Sequence, residues 1–235
     1  MSLRKRLYFY EEVLLLALKD EEGTFQANET SFLYTLAGSL LAELFFLEKI
    51  SLEQVKKKKV LVNLDDPTPL GDPLLDESLE KLRTAKRRAD LNTWVTRLAH
   101  IKKLKHRAAE QLCRRGILRA DEGTVLLIFR RKVYPELDPG PERELVERLR
   151  EAIFSDSEEV DPRTVVLVAL ADKAGVLKNV FDKKALKARK DRIESIADGV
   201  RTAAAVKEVV DAATAAIVAA TTVATMAAVT TSATS

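Results

Sequence analysis

Cysteine is almost absent. The single Cys113 rules out an intramolecular disulfide framework and fits a reducing compartment. Placed on the apolar side of a helical stretch, it reads as a buried core thiol rather than a nucleophile. Histidine is nearly as scarce: His100 and His106 are the only two, and neither stands in a metal-ligand pattern. With only eight glycines, the chain has no Walker loop, no GxGxxG and no GxSxG elbow. The paired acids Asp65 and Asp66 precede Pro67, where a turn accounts for them. No catalytic set, metal set or cofactor motif emerges, so the chain reads as a non-enzyme without a cofactor. A cleavable leader is not expected, because Glu11 and Glu12 interrupt the apolar run after Arg4, Lys5 and Arg6. Strong net charge is lacking too. Thirty-nine basic residues against 36 acidic ones leave +3, so any electrostatic function must come from local clustering.

What is present is the composition of a globular protein: 235 residues, 46% hydrophobic and 32% charged. The apolar spacing predicts helices over 8–19 and 32–47, the second apolar around most of its circumference and capped by Thr30 or Ser31. Glu43, its one charge, reads as a paired or edge-facing glutamate. Ile50 to Leu64 reads as two strands joined by the basic turn at Lys56 to Lys59. Asp72 or Asp76 opens a helix running to about Arg88, and 91–99 forms another that places Trp94, the only tryptophan, in the core. Helices follow at 142–154, 163–173 and 182–198. From Ala212 to Ser235 there is no charge, but Ala and Thr dominate and no basic flank or aromatic belt is present. A buried or partly frayed helix fits that stretch better than a membrane span. The expected fold class is mainly α: one globular helical domain with short β-hairpins, one of them projecting.

The most informative stretch is Ile101 to Tyr134. Lys102, Lys103, Lys105, Arg107, Arg114, Arg115 and Arg119 stand against a single acid, Glu110. Ile101, Leu104, Ala108 and Leu112 share one helical face, so a basic helix over 101–115 is predicted, with Lys102 and Lys105 at i and i+3 on its surface. Gly116 supplies a left-handed C-cap. A hairpin over 117–130 follows, turning at Asp121-Glu122-Gly123. Three readings remain open at this point. The face binds anionic lipid headgroups, at about 1 kcal/mol for each Lys or Arg near the bilayer; it is the recognition helix of a winged-helix nucleic-acid binder with the hairpin as wing; or its lysines merely solvate a helix.

LYFYEEVLLLALKDEEG at the start resembles the opening signature of the Golgi phosphoprotein 3-like family. The resemblance continues through TLAGSLLAELFFLEKISLE at 35–53, GDPLLDESLEKL at 71–82 and IKKLKHRAAEQLCRRGIL at 101–118. It implies a helical domain over 7–230 behind a short basic tail at 1–6, with the 117–130 hairpin used for homo-oligomerisation. It also implies a peripheral membrane adaptor that binds phosphatidylinositol 4-phosphate and holds membrane-protein clients, glycosyltransferases tied to the coatomer in eukaryotic members. The expected location is cytoplasmic and peripherally membrane-bound, on the cytosolic face of the Golgi in a eukaryote. No separate nucleic-acid partner is implied.

Carried over residue by residue, the family's i, i+3 basic pair falls on Lys102 and Lys105, with Arg107 beside them. The family's helix arginine falls on Ala37, and its loop tryptophan on about Asn28, with Phe25 as an apolar neighbour in a 25–30 loop laid against the bilayer. Lysine supplies charge without the bidentate fork of arginine. Ala37 and Asn28 lack the family chemistry, so general affinity for anionic lipid is expected to outlast 4-phosphate selectivity. The tail before Leu7 is too short for the coat-binding segment of eukaryotic members, which suits a distant or bacterial member.

Overall fold

The first helix, α1 (Phe9–Ala17), is buried on every side, and its charged residues are buried with it. Two glutamates in the first turn of so apolar a segment need partners, and these organise the rest of the fold. The computed structural model describes residues 6–19, 24–25, 29–56, 59–125, 129–157 and 159–197, with positions 215, 218–219 and 222. After α1 come a two-residue ladder of β1 (Leu18–Lys19) with β2 (Thr24–Phe25), then α2 (Glu29–Phe46) and the hairpin β3 (Ile50–Lys56) with β4 (Lys59–Leu64). The helices α3 (Pro73–Arg83), α4 (Leu91–Ala99) and α5 (Leu104–Arg114) follow, then the hairpin β5 (Asp121–Val125) with β6 (Phe129–Val133). Five helices complete the described chain: α6 (Gly140–Phe154), α7 (Pro162–Lys173), α8 (Leu177–Val180), α9 (Lys183–Ala188) and α10 (Lys190–Ala197). The fold is mainly helical, as expected. No helix among the described residues is long and apolar enough to cross a membrane.

Helix α1 lies at the centre, packed against α2, α5, α6, α7 and α8. Four of the surrounding helices start where the sequence has aspartate. Asp72, Asp90, Asp161 and Asp182 each accept backbone N–H bonds in the first turn of α3, α4, α7 and α9. Pro73 and Pro162 follow two of these caps, where a missing N–H costs nothing. At the other end of α5, Gly116 sits at φ 72°, and the N–H of Ile117 returns to the Leu112 carbonyl at 3.0 Å. GDPLLDE is therefore a capping device. Asp76 accepts from the N–H groups of Leu70 and Gly71 while Asp72 accepts from Leu74, Leu75 and the Tyr10 hydroxyl, the last at 2.6 Å.

Several expectations are corrected. The α2 helix begins at Glu29, so Thr30 and Ser31 lie within it rather than ahead of it. The helix after Asp72 stops at Arg83, because Leu82 ends the buried stripe and the following TAKRRAD segment is held elsewhere, through the Val62 N–H to Ala89 carbonyl bond. The charged stretch 182–198 is broken between Ala188 and Lys190 rather than continuous. The hairpin turn is not at Asp121-Glu122-Gly123, which instead pair with Val133, Lys132 and Arg131. Buried Leu118 opposite Glu136 and buried Tyr134 set the register from the base, and the same register carries it to Val125 opposite Phe129. Residues 126–128 and most of the uncharged end from 212 lie outside the described residues. The 50–64 hairpin, the core position of Trp94 and the pairing of Glu43 are as expected.

Candidate functional site

The basic surface is built at the junction of α4 and α5, and it is not one continuous helix. Residues 100–103 form a turn, Lys103 takes a left-handed φ of 58°, and α5 begins only at Leu104. Ile101 and Leu104, 4% and 1% exposed, are the reason: both must reach the core, and the single left-handed residue between them lets the chain do so. Lys102 therefore lies in the turn, not on the face of α5 shared with Lys105, which corrects the i, i+3 expectation. Lys102 and Lys103 are exposed, and Lys105 is half-buried in the first turn. The α5 N-terminus has no side-chain cap and no acid in its first turn, unlike the aspartate-capped helices. Its lysines thus present positive charge at one place, beside the positive end of the helix dipole.

Two further cations of the stretch, Arg107 and Arg115, are committed to the fold. Arg107 is 2.5 Å from Glu77 and 3.5 Å from the Pro73 carbonyl, so it clamps α5 to α3 rather than standing ready for a headgroup. Arg115 lies 2.8 Å from buried Glu11, touches the Arg6 carbonyl and stacks on Tyr8. A recognition helix needs such cations outward, so the nucleic-acid reading loses two of its phosphate contacts. Ala37 is fully buried in α2 and has no polar atom to offer a surface ligand. Asn28 lies outside the described residues, as does the rest of 26–28; of the expected 25–30 loop, Phe25 is in β2 and Glu29 and Thr30 are helical. Cys113 is half-buried, and burial together with Glu110 pushes its thiol up, away from nucleophilic use.

Sequence reasoning missed the charge network beneath this surface. Arg163, 3% exposed, donates to both oxygens of Glu43 at 2.7 and 2.9 Å and to the Leu7 carbonyl at 2.7 Å, and its guanidinium lies 3.9 Å from the Phe9 ring centre. Glu43 also accepts the Phe9 N–H at 2.7 Å. Glu12 takes Arg148 at 2.5 Å and lies 3.6 Å from Arg163. Burial would lower Arg163, but the Glu43 hydrogen bonds and the charges of Glu12, Glu43 and Asp161 hold it above its ordinary value. Burial raises Glu12, against the pull of Arg163 and Arg148. Glu11 is pushed up to about 7, by burial first, with the Tyr8 backbone N–H and Arg115 opposing. EEVLLL is thus a core pattern in which two buried acids gather arginines from α5, α6 and α7. The only signal in the sequence was an apolar helix carrying acids that something had to neutralise. No group of acids, histidines and cysteine able to hold a metal occurs among the described residues.

Comparison with known proteins agrees with this architecture. The Golgi phosphoprotein 3 (GPP34) family profile matches residues 9–213. The chain is 28% identical over 207 residues to the vacuolar protein sorting-associated protein 74 of Schizosaccharomyces pombe, an alignment covering 75% of this chain and 61% of that protein. The chain thus spans less than two thirds of the length of that relative. By its core pattern, its capping motifs and the extent of the match, the chain belongs to the Golgi phosphoprotein 3 (GPP34) family.

Proposed function

We propose that this protein is a peripheral membrane adaptor, not an enzyme, and that it docks on anionic phospholipid through the start of α5. The observation that carries this reading is the uncapped, acid-free N-terminus of α5 with Lys102, Lys103 and Lys105 around it. Each lysine near an anionic bilayer contributes about 1 kcal/mol, so the three together give reversible docking. Phosphoinositide headgroups, phosphatidylinositol 4-phosphate foremost, are the proposed lipid. Because Ala37 is buried and apolar and Arg107 is engaged by Glu77, charge rather than a bidentate pocket supplies the affinity. Residues 7–230 act as one domain behind a basic tail at 1–6, self-associating through the β5–β6 hairpin and holding membrane-protein clients on the cytoplasmic face, that of the Golgi in a eukaryotic cell.

The test is co-sedimentation with neutral vesicles, vesicles with generic anionic lipid, and vesicles with phosphatidylinositol 4-phosphate at matched charge. Binding to anionic vesicles that falls with salt and is lost in Lys102→Glu/Lys105→Glu, with unchanged circular dichroism, is the expected result. A folded double variant that still binds overturns the site.

A further inference from the structure

A second cationic site lies outside that surface. The segment between α3 and α4 and the outer side of α4 enclose an open pocket of about 830 Å³. Its wall includes Lys81, Lys86, Arg87, Arg97 and His100 together with Trp94, and not one acid. Lys102 and Lys105 do not line it.

The charges in this wall are held ready in a way that the neighbouring charges are not. Arg83 is neutralised by Glu80, and Arg88 by Glu53, whereas Lys86 and Arg87 between them make no ion pair among the described residues. The segment carrying them is pinned at its far end, by the Val62 N–H to Ala89 carbonyl bond at 2.9 Å and by Asp90 capping α4. Lys81 has a carboxylate partner at 3.6 Å, Glu77, which Arg107 also holds at 2.5 Å. Across the pocket, the Arg97 guanidinium is stacked over the Trp94 ring, 4.8 Å from its centre. The His100 Nδ1 lies 2.7 Å from the Thr96 carbonyl, which only accepts, so Nδ1 donates there and fixes the ring at the pocket edge. Finally, Trp94 is 1% exposed, yet its indole N–H is buried without an acceptor.

From this we infer that the α3–α4 pocket binds a multiply phosphorylated ligand of the size of an inositol phosphate, with Lys86, Arg87 and Arg97 as its principal contacts. Size decides against inorganic phosphate as the preferred ligand, because a single phosphate occupies a small part of about 830 Å³ and meets few of the four lysines and arginines at once. The chemistry is that of phosphate monoesters on a ring, whether on a lipid headgroup or on a free inositol phosphate. The site goes beyond docking by the α5 lysines and can stand if that reading falls.

Trp94, the only tryptophan, is the natural reporter. The full chain is titrated with inositol 1,4,5-trisphosphate and with inorganic phosphate, followed by Trp94 emission and by calorimetry. The expected result is saturable trisphosphate binding with a change in emission, and much weaker binding of inorganic phosphate. Lys86→Gln/Arg87→Gln/Arg97→Gln, at exposed positions, should weaken trisphosphate binding about tenfold or more, since charge-assisted phosphate contacts are lost. Lys102→Glu/Lys105→Glu should leave it unchanged. Vesicles containing phosphatidylinositol 4,5-bisphosphate identify the source: trisphosphate that displaces the protein from them indicates a lipid headgroup, and trisphosphate binding without displacement indicates a soluble ligand. No saturable binding by calorimetry, equal binding by the triple-glutamine variant, or loss of binding in the Lys102→Glu/Lys105→Glu variant overturns the assignment.

Discussion

Replacing Arg163 by methionine removes the cation from the centre of the molecule while keeping most of its volume. The side chain is 3% exposed, and with it go two hydrogen bonds to Glu43, one to the Leu7 carbonyl and the stack on Phe9. Glu43 would be left buried with one donor, the Phe9 N–H at 2.7 Å. Breaking a buried pair in this way costs about 3–5 kcal/mol, most of it the stranded charge. Arg163→Met/Glu43→Leu removes the stranded charge as well, leaving Glu12 with Arg148 and Glu11 with Arg115. Its main residual cost is the orphaned Phe9 N–H, about 1–3 kcal/mol. The double variant should therefore be more stable than the single one. Urea unfolding followed by Trp94 emission measures this directly, since the only tryptophan is 1% exposed in the folded chain. A double variant no more stable than Arg163→Met would refute the argument that Arg163 is held by charge compensation.

Two further perturbations test neighbouring features. Glu11 titrates at about 7 in the fold against an ordinary value of 4.5. Between those values the folded state holds a proton that the unfolded state has released, so stability falls as pH rises through this window, by about 3 kcal/mol for such a shift. Glu11→Gln should flatten that part of the profile from pH 5 to 8 in denaturant titrations, and parallel profiles would contradict the assignment. Lys103→Gly should relieve the left-handed φ of 58°. The steric gain of about 1–2 kcal/mol outweighs the entropic cost of glycine, about 0.5–1 kcal/mol, leaving the variant slightly more stable in thermal melts. A clear loss of stability would show that the Lys103 side chain supports the turn.

Much of this architecture is legible in the sequence because it is local. Apolar spacing marked α1, α2, α4 and α7 to within a few residues, and Gly116 and the Ile50–Leu64 strand pair could be read from conformational preference alone. Of the two candidate caps, Asp72 and Asp76, the first starts α3. EEVLLL and GDPLLDE identified the family before any geometry explained them. These features depend on neighbours within a turn or two of chain, where propensity and capping act.

The site was harder to read, for a physical reason. Seven cations in the 101–119 stretch are equivalent in sequence, and only packing separates them. Arg107 meets Glu77, and Arg115 meets Glu11, across loops whose path the sequence does not announce. The break at Lys103 arises because Ile101 and Leu104 are both drawn into the core, and this moved Lys102 off the helix face. Arg163 and Glu43 stand 120 residues apart. The cationic pocket takes residues from α3, the following segment and α4, none conspicuous alone. The sequence by itself determined the helices, their caps and the family. Tertiary structure decided which charges are neutralised inside and which stay at the surface, because electrostatic pairing follows distance in space, and distance in space is set by how the core packs.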